Sequence, residues 1–491
     1  MSIAETLSAS PLPSSADPEG EFAIPLCVDL DGSLIHTDLL YESLLELLHH
    51  RPWMLLCLPL WLLRGIAYLK QQVALRVSLD PSGLPYDVRL LERLHELHGQ
   101  RPMLLCSGAD ERLAVCVAEH LGLFSETLAS DGRLNLTGLR KVRLLSDRFG
   151  VRGYDYVGNQ RADLAVWREA REAWVVNAGQ GLMRAAQQLC PCALYLPPQH
   201  IDWQQWLKAL RPHQWLKNLL IFTPLLAAHR VLDGEGWQAA SLAFIAFSLC
   251  ASGLYLANDL LDLKSDRQHP HKRQRPFAAG RLSLAMGMLA SPVLIGASFV
   301  LATVLPGKFA FFLLLYSVCT LLYSFLLKRR AMLDVITLAG LYTLRIIAGA
   351  AAVGTPLSFW FLAFSMFLFL GLAMVKRYTE LLLMHENGHT HALGRAYAVA
   401  DLPLIQALGG ASSYMAVLVL ALYIHSDAGN SMYREPETLW LLCPLLLLWV
   451  SRIWLKAHRG LMDDDPLIFA ARDPGSWGIF LIASGVVLWA V

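Results

Sequence analysis

Charge is scarce in this sequence. Only 16% of its 491 residues are Asp, Glu, Lys or Arg, and they nearly cancel, leaving a formal net charge of +1 at pH 7. So flat a balance gives no bulk attraction to nucleic acid, and no such partner is expected. The nine cysteines (Cys27, Cys57, Cys106, Cys116, Cys190, Cys192, Cys250, Cys319 and Cys443) form no CxxC pair and keep no metal-ligand spacing. Cys190-Pro-Cys192 invites a redox reading, but small buried thiols in a reducing cytoplasm are the expectation. A basic n-region followed by an apolar core is also absent, so no secretory signal peptide is expected. Residues 1–20 contain the Pro/Ser-rich "SASPLPSSADPEG" and read as a disordered lead.

Apolar residues are abundant, at 55%, but unevenly spread. Up to about residue 200 the chain reads like a soluble domain; from about Trp215 to Val491, apolar stretches of membrane-spanning length recur. Nine candidate spans cover roughly 214–232, 237–258, 284–305, 309–327, 332–353, 358–375, 403–425, 437–456 and 475–491. The connections after the second, fourth, sixth and eighth carry most of the Lys and Arg, as "KRQR", "KRR", "KRYTE…GR" and "KAHRG". The positive-inside rule puts these loops and the N-terminal domain in the cytoplasm and the C-terminus on the far side. A bacterial inner membrane fits. The expected architecture is an α/β domain over 21–195, a linker and interfacial segment over 196–213, and an all-α membrane bundle over 214–491.

In the first half, "IPLCVDL" (Ile24 to Leu30), "PMLLCSG" (Pro102 to Gly108), "YDYVGN" (Tyr154 to Asn159) and "AWVVNAG" (Ala173 to Gly179) read as strands alternating with helices, hence a parallel sheet. "CVDLDGSL" places Asp29 and Asp31 at the carboxyl end of the first strand, where open α/β sheets bind ligands. Two residues apart on an extended end, both carboxylates point into one site. The first can attack phosphorus; the second can protonate the leaving oxygen and later activate water. Two carboxylates facing a phosphate need an intervening cation, and Mg²⁺ is expected.

These residues resemble the haloacid dehalogenase (HAD) superfamily of phosphatases, over about Leu26 to Gly179. The motifs are DxDGS, Ser107 in "LLCSGAD", Lys141 in "LTGLRKVRLL" and the acidic loop "YVGNQRADLAVW". The resemblance implies a Rossmann-like fold with a helical cap. It makes Asp29 the nucleophile and Asp31 the acid/base. Ser107 and Lys141 hold the phosphoryl group, and Asp29, Asp31, Asn159 and Asp163 hold Mg²⁺. Where the family often has GDxxxD, this chain has Gly158-Asn159…Asp163, so the amide ligates without charge. The insert, about 39–98, is the expected cap. It holds the eleven-residue apolar run "WMLLCLPLWLL" (Trp53 to Leu63), too short to span a bilayer. Buried cap helices are one account; a membrane-resting segment that lets the site reach a lipid-linked phosphate is the other.

The membrane half holds "NDLLDLKSDRQHPHKRQRP" (Asn258 to Pro276). Asp259, Asp262 and Asp266 fall at i, i+3 and i+7, one face of a helix, with Asn258 beside them. Several carboxylates at a span end are costly unless neutralised, and Mg²⁺ bridging a diphosphate neutralises them. His269, Lys272 and Arg275 then contact phosphate oxygens that the metal leaves free. This stretch resembles the UbiA superfamily of intramembrane prenyltransferases, over about Leu207 to Val491. The second Asp-rich motif of most members is replaced here by "AMVKRYTELLLMHENGH", with Lys376, Arg377 and Glu380 in the loop. "LRPHQWLKN", "YSFLLKRRAMLDV", "YTLRIIAGA", "KRYTEL" and "DDDPLIFAARD" look like one branch, the polyprenyl-phosphate phosphoribosyltransferases.

That resemblance implies transfer of phosphoribose from phosphoribosyl pyrophosphate (PRPP) to a polyprenyl phosphate. Lys217, Lys328, Arg345, Lys376 and Arg377 are then cations for an anionic acceptor. Arg345 lies well inside a span, where a charge implies function. Asp334 orients Lys328 or a ribose hydroxyl, or caps a helix. "HENGHTH" (His385 to His391) reads as a cytoplasmic loop and "MDDDP" (Met462 to Pro466) as a cap or a substrate contact. A phosphatase fused to such a transferase is expected to remove the 5-phosphate. Two other readings stand beside it: prenyl transfer to an aromatic acceptor with an independent phosphatase, and a non-enzymatic lipid-phosphate carrier or scaffold.

Overall fold

The computed structural model describes residues 24–198, 203–269, 272–386, 388, 396–426, 433–462 and 465–490. The disordered lead, most of "HENGHTH", and Asp463 and Asp464 of "MDDDP" lie outside them. The chain divides into two units. One comprises 1–202 with 263–284; the other comprises 203–262 with 285–491.

The first unit is built on six parallel strands: β1 (Leu26–Asp29), β2 (Met103–Asp110), β3 (Glu126–Ser130), β4 (Asp155–Gly158), β5 (Ala173–Val176) and β6 (Cys192–Leu196). Their order is β3-β2-β1-β4-β5-β6. Every residue of β1, β4 and β5 is buried, as central strands covered on both faces must be. The period of two splits the core. Leu26, Val28, Leu105, Val157 and Val176 pack on one face; Cys27, Leu104, Cys106, Tyr156 and Val175 pack on the other. All nine cysteines are free thiols.

The insert between β1 and β2 is helical, with Leu39–His50, Leu58–Leu63, Ile66–Ala74 and Val88–Leu97 and a 3₁₀ segment at Pro52–Cys57. Asp38 and Asp87 accept the first free N–H groups of the first and last of these helices. The buried-cap account fails for the apolar run. None of Pro52–Leu63 is buried, and Leu56 and Leu63 are 82% and 84% exposed.

The second unit contains seven helices long and apolar enough to cross a membrane, among the described residues: Gly234–Leu261, Leu284–Ala302, Gly307–Phe325, Leu333–Val353, Phe359–Glu386, Val399–Ile424 and Pro436–His458. The pair Pro466–Arg472 and Pro474–Ala490, bent by 80°, makes an eighth if counted as one span. Nine were expected. The difference lies at 214–232, where a 3₁₀ segment (Pro212–Phe222) and a short helix (Thr223–Ala227) replace a continuous span. Pro224 opens the short helix, where the missing N–H is tolerated, and Lys217 and Asn218 are buried. Leu289, Val300, Phe311, Leu481 and Leu488 are exposed, as bilayer-facing side chains are.

Gly349 fixes one close approach. A Cβ there would lie 2.2 Å from the Ile221 carbonyl oxygen, which is backbone and cannot rotate away. Gly349→Ala is therefore expected to destabilise the unit by about 1–3 kcal/mol, although alanine favours helix by about 1 kcal/mol. Thermal unfolding in detergent checks this; an unchanged or raised midpoint would refute it.

Candidate active sites

In the first unit the strand order reverses direction between β1 and β4, the switch point at which open sheets bind ligands. Asp29 ends β1, and Asn159 follows β4. Lys141, on the Leu139–Phe149 helix, donates from Nζ to Asp29 Oδ1 at 2.8 Å, to the Tyr156 hydroxyl at 2.8 Å and to the Cys106 carbonyl at 3.2 Å. The Tyr156 hydroxyl donates to Asp163 Oδ1 at 3.2 Å. Asp163 Oδ2 accepts from the N–H groups of Asn159 and Gln160 at 3.0 and 2.9 Å. The Ser33 hydroxyl donates to Asp29 Oδ2 at 3.1 Å. Burial opposes the charge of Lys141, but Asp29 and Asp163 outweigh it and raise its pKa.

Asp31 Oδ1 accepts the Leu39 N–H at 2.9 Å. Burial, then the neighbouring Asp38 and Asp29, push its carboxyl up to about 8, so it keeps a proton at neutral pH, as an acid must. Burial and Asp29 push Asp163 up to about 6. Cys106 pairs in register with Asp29, so Ser107 stands at the same strand end, its hydroxyl accepting the Ala109 N–H at 3.0 Å.

Among the described residues no three His, Cys, Asp or Glu side chains make a ready metal cluster. One atom nevertheless asks for a cation: Asn159 Oδ1 is buried without a hydrogen-bond partner. An orphaned amide oxygen beside Asp163 fits a hard cation such as Mg²⁺. Gly32, with φ +77°, makes room for it; a Cβ there would meet Asn159 Nδ2 at 2.1 Å.

In the membrane unit the single helix expected through Asp266 stops at Leu261. Asp262 caps it, and Leu263–Gln268 is a separate short helix. Carboxylates at a helix C-terminus oppose the macrodipole, which favours the break. Asp259 is buried, and its Oδ1 accepts from Arg211 Nη2 at 2.5 Å. Asp262 accepts from Lys328 Nζ at 2.9 and 3.0 Å and from Asn258 Nδ2 at 3.1 Å. Asp266, His269, Lys272 and Arg275 belong to the first unit, where Arg275 Nη1 donates to Asp266 Oδ2 at 2.6 Å.

The expected acceptor cations divide. Lys217 and Lys376 share the buried Asp465, Lys376 at 3.6 Å. Arg345 donates to Asn218 Oδ1 at 2.9 Å, to the Leu341 carbonyl at 2.6 Å and to the Tyr316 hydroxyl at 3.0 Å. Its guanidinium lies 5.6 Å from the Tyr342 ring centroid, and Lys217 Nζ lies 5.7 Å from the same ring. Lys217 and Arg345 thus flank one ring, and Lys376 joins Lys217 at Asp465.

Arg377 stands apart, its three nitrogens engaged by Asp334, Glu380 and Tyr323. Asp334, expected to orient Lys328 or a ribose hydroxyl or to cap a helix, holds Arg377, while Lys328 pairs with Asp262. The Asp334–Arg377 pair is a strut. Asp334→Ala leaves a guanidinium only 1% exposed short of its partner, so a loss of about 3–5 kcal/mol is expected. Detergent unfolding reads it, and a shift no larger than that of an exposed substitution would refute it.

Sequence reasoning passed over Arg211, Asn218, Tyr316 and Tyr342, whereas Asp465, read within "MDDDP" as a cap or a substrate contact, caps the Pro466–Arg472 helix. Arg211, Asn218 and Tyr342 lie inside the quoted motifs, so the signal was present without a geometry to weigh it.

Residues 219–381 match the UbiA prenyltransferase family. The membrane unit is a UbiA-family domain. An uncharacterized Sinorhizobium fredii protein, y4nM, is 36% identical over 470 residues, 95% of this chain and 91% of that protein. The Azorhizobium caulinodans nodulation protein NoeC is 35% identical over 294 residues, 58% of this chain and 94% of NoeC. The decaprenyl-phosphate phosphoribosyltransferase of Mycolicibacterium smegmatis is 40% identical over 186 residues, 37% of this chain and 58% of that enzyme. A solved UbiA homolog from Archaeoglobus fulgidus, bound to DMAPP and Mg²⁺, overlays with a TM-score of 0.45 at 17% identity, covering 58% of this chain and 97% of that one. The UbiA domain and its apolar helices make this a multi-pass membrane protein.

Proposed function

We propose that the UbiA domain transfers 5-phosphoribose from PRPP to a polyprenyl phosphate, and that the first unit is a HAD-type phosphatase that removes the 5-phosphate. The observation that carries the acceptor assignment is the group Lys217, Lys376 and Arg345 around Tyr342, with Asp465 between the two lysines. Three clustered cations suit an anionic acceptor, and an aromatic acceptor has no use for them. The 36–40% identity to decaprenyl-phosphate phosphoribosyltransferases supports the same reading.

Asp259, Asp262 and Asn258 offer the hard oxygen donors that Mg²⁺ prefers. Bound Mg²⁺ would make the diphosphate a better leaving group. An oxygen of the lipid phosphate bonds to ribose C1 as the C1–O bond to diphosphate breaks, with oxocarbenium character at C1. The attacking phosphate is already anionic, so Lys217, Lys376 and Arg345 position it, and no strong general base is needed. Arg211 and Lys328 hold Asp259 and Asp262 in place.

In the first unit Asp29 attacks the 5-phosphorus and Asp31 gives its proton to the leaving 5-oxygen. Water, deprotonated by Asp31, then hydrolyses the aspartyl phosphate. Asn159, Asp163 and Asp29 would hold the Mg²⁺ that screens the carboxylates from the phosphate. Both sites work on the cytoplasmic side of a bacterial inner membrane, and the product is polyprenyl-phosphoryl ribose.

The test is purified full-length protein with Mg²⁺, PRPP and a polyprenyl phosphate, read by mass spectrometry of the lipid. A gain of ribose without its phosphate is expected. A gain of phosphoribose that stays phosphorylated would overturn the phosphatase half, and no gain would overturn both.

A further inference from the structure

We infer that Pro52–Leu63 is a wedge that inserts into the headgroup region of an anionic bilayer. This run is apolar, and none of its residues is buried. Trp53, Leu56, Leu60, Leu62, Leu63 and Ile66 are each at least 45% exposed. Its twelve residues form a 3₁₀ turn and a short helix, too short to cross a bilayer but long enough to lie in its surface.

Charge identifies the occupant. From Leu47 to Leu79 there is no acidic residue, while Arg51, Arg64, Lys70 and Arg76 are basic. Arg51 and Arg64 bracket the run and are exposed. Arg76 lies over the Trp61 ring at 4.8 Å, and Arg64 over Tyr68 at 5.3 Å. An apolar tip with aromatic and cationic flanks suits acyl chains below and anionic headgroups around it. The chain's own spans keep it at a bilayer, so insertion has no search to make.

The wedge is joined at both ends to the carboxylate site. Upstream, the Leu39–His50 helix gives its Leu39 N–H to Asp31. Downstream, the Ile66–Ala74 helix carries Lys70, whose Nζ donates to the carbonyl of Gly108, next to Ser107. Insertion therefore sets that site at headgroup depth and selects phosphates carried by a lipid. This substrate preference rests on the phosphatase reading; insertion does not.

The experiment places a photoreactive diazirine residue, one position at a time, at Leu56, Leu60 and Leu63 of the full chain in phosphatidylglycerol-containing nanodiscs. Leu139 and Val151, 68% and 67% exposed in the same unit, serve as references. Lipid adducts at least tenfold above the references are expected. Adducts at the reference level, or to protein alone, whether this chain or a second copy, would overturn the wedge. In a second variant, Leu56→Asp, Leu60→Asp and Leu63→Asp are combined. Hydrolysis of a bilayer-held polyprenyl phosphoribosyl lipid is expected to fall at least tenfold, while hydrolysis of p-nitrophenyl phosphate holds. An equal fall on both would overturn the substrate preference. If the unaltered protein hydrolyses neither, the phosphatase reading fails while the adducts still decide insertion.

Discussion

Asp259→Asn with Asp262→Asn is expected to lower transfer of phosphoribose to the lipid by roughly 10³-fold or more, to background in a lipid mass-spectrometric assay. Asp259 faces Arg211, and Asp262 faces Lys328. Asparagine keeps the shape and an oxygen but loses the charge, so it neither holds a divalent cation against water nor balances the cation already there. The fold should tolerate the change. Arg211 and Lys328 are about one-fifth exposed, so water can solvate them once their partners are neutral. A protein that unfolds at the same temperature but transfers nothing separates chemistry from folding. Phosphatase activity of the first unit on a soluble substrate should persist in the same preparation. Transfer within tenfold of the unaltered protein would remove the acidic pair from the reaction and favour the carrier reading.

What the sequence disclosed follows from how much each element buries. The strands read in advance include β1, β4 and β5, buried at every position. The two that escaped notice, β3 and β6, are the sheet edges. Glu126-Thr-Leu-Ala-Ser and Cys192-Ala-Leu-Tyr-Leu are only partly buried, and an edge strand need not be apolar on both faces. In the membrane unit, length and hydropathy located seven spans, but they do not register backbone breaks. At 214–232 the mean apolar character hid Pro224 and an inward Lys217–Asn218 pair.

The sites show the same division. Motif order placed Asp29, Lys141 and Asp163 together, and they are one connected network. Motif order did not say which cation belongs to which carboxylate. One of the three roles expected of Asp334 was to orient Lys328, six residues away, but Asp262, sixty-six residues away, holds that lysine. Sequence proximity is a poor guide where helices pack side by side, because the nearest charge sits on another span. Arg345 was legible for the opposite reason: a guanidinium deep in a span stands out wherever its partners lie.

Asp29→Asn is expected to slow removal of the 5-phosphate by roughly 10³- to 10⁴-fold while transfer continues, so phosphoribosylated lipid accumulates. The amide oxygen is a far weaker nucleophile toward phosphorus, and no neighbour replaces it. Asp31 is bound to the Leu39 N–H and holds a proton at neutral pH, and Asp163 has one oxygen on two backbone N–H groups and the other on Tyr156. Lys141 loses one partner but keeps Tyr156 and the Cys106 carbonyl, with Asp163 near enough to balance its charge. The variant should therefore fold, and the lipid's mass reports which bond fails to break. Lipid heavier by phosphoribose places the first unit after the transferase; lipid heavier by ribose alone would show that another activity removes the phosphate. Asp31→Asn distinguishes the two carboxylates. It also lets the 5-phosphate persist, but it leaves the nucleophile intact. A substrate with a good leaving group, such as p-nitrophenyl phosphate, needs little protonation and should still phosphorylate Asp29. The Asp31→Asn protein is then expected to release one equivalent of p-nitrophenol in a burst and stall, whereas the Asp29→Asn protein releases none.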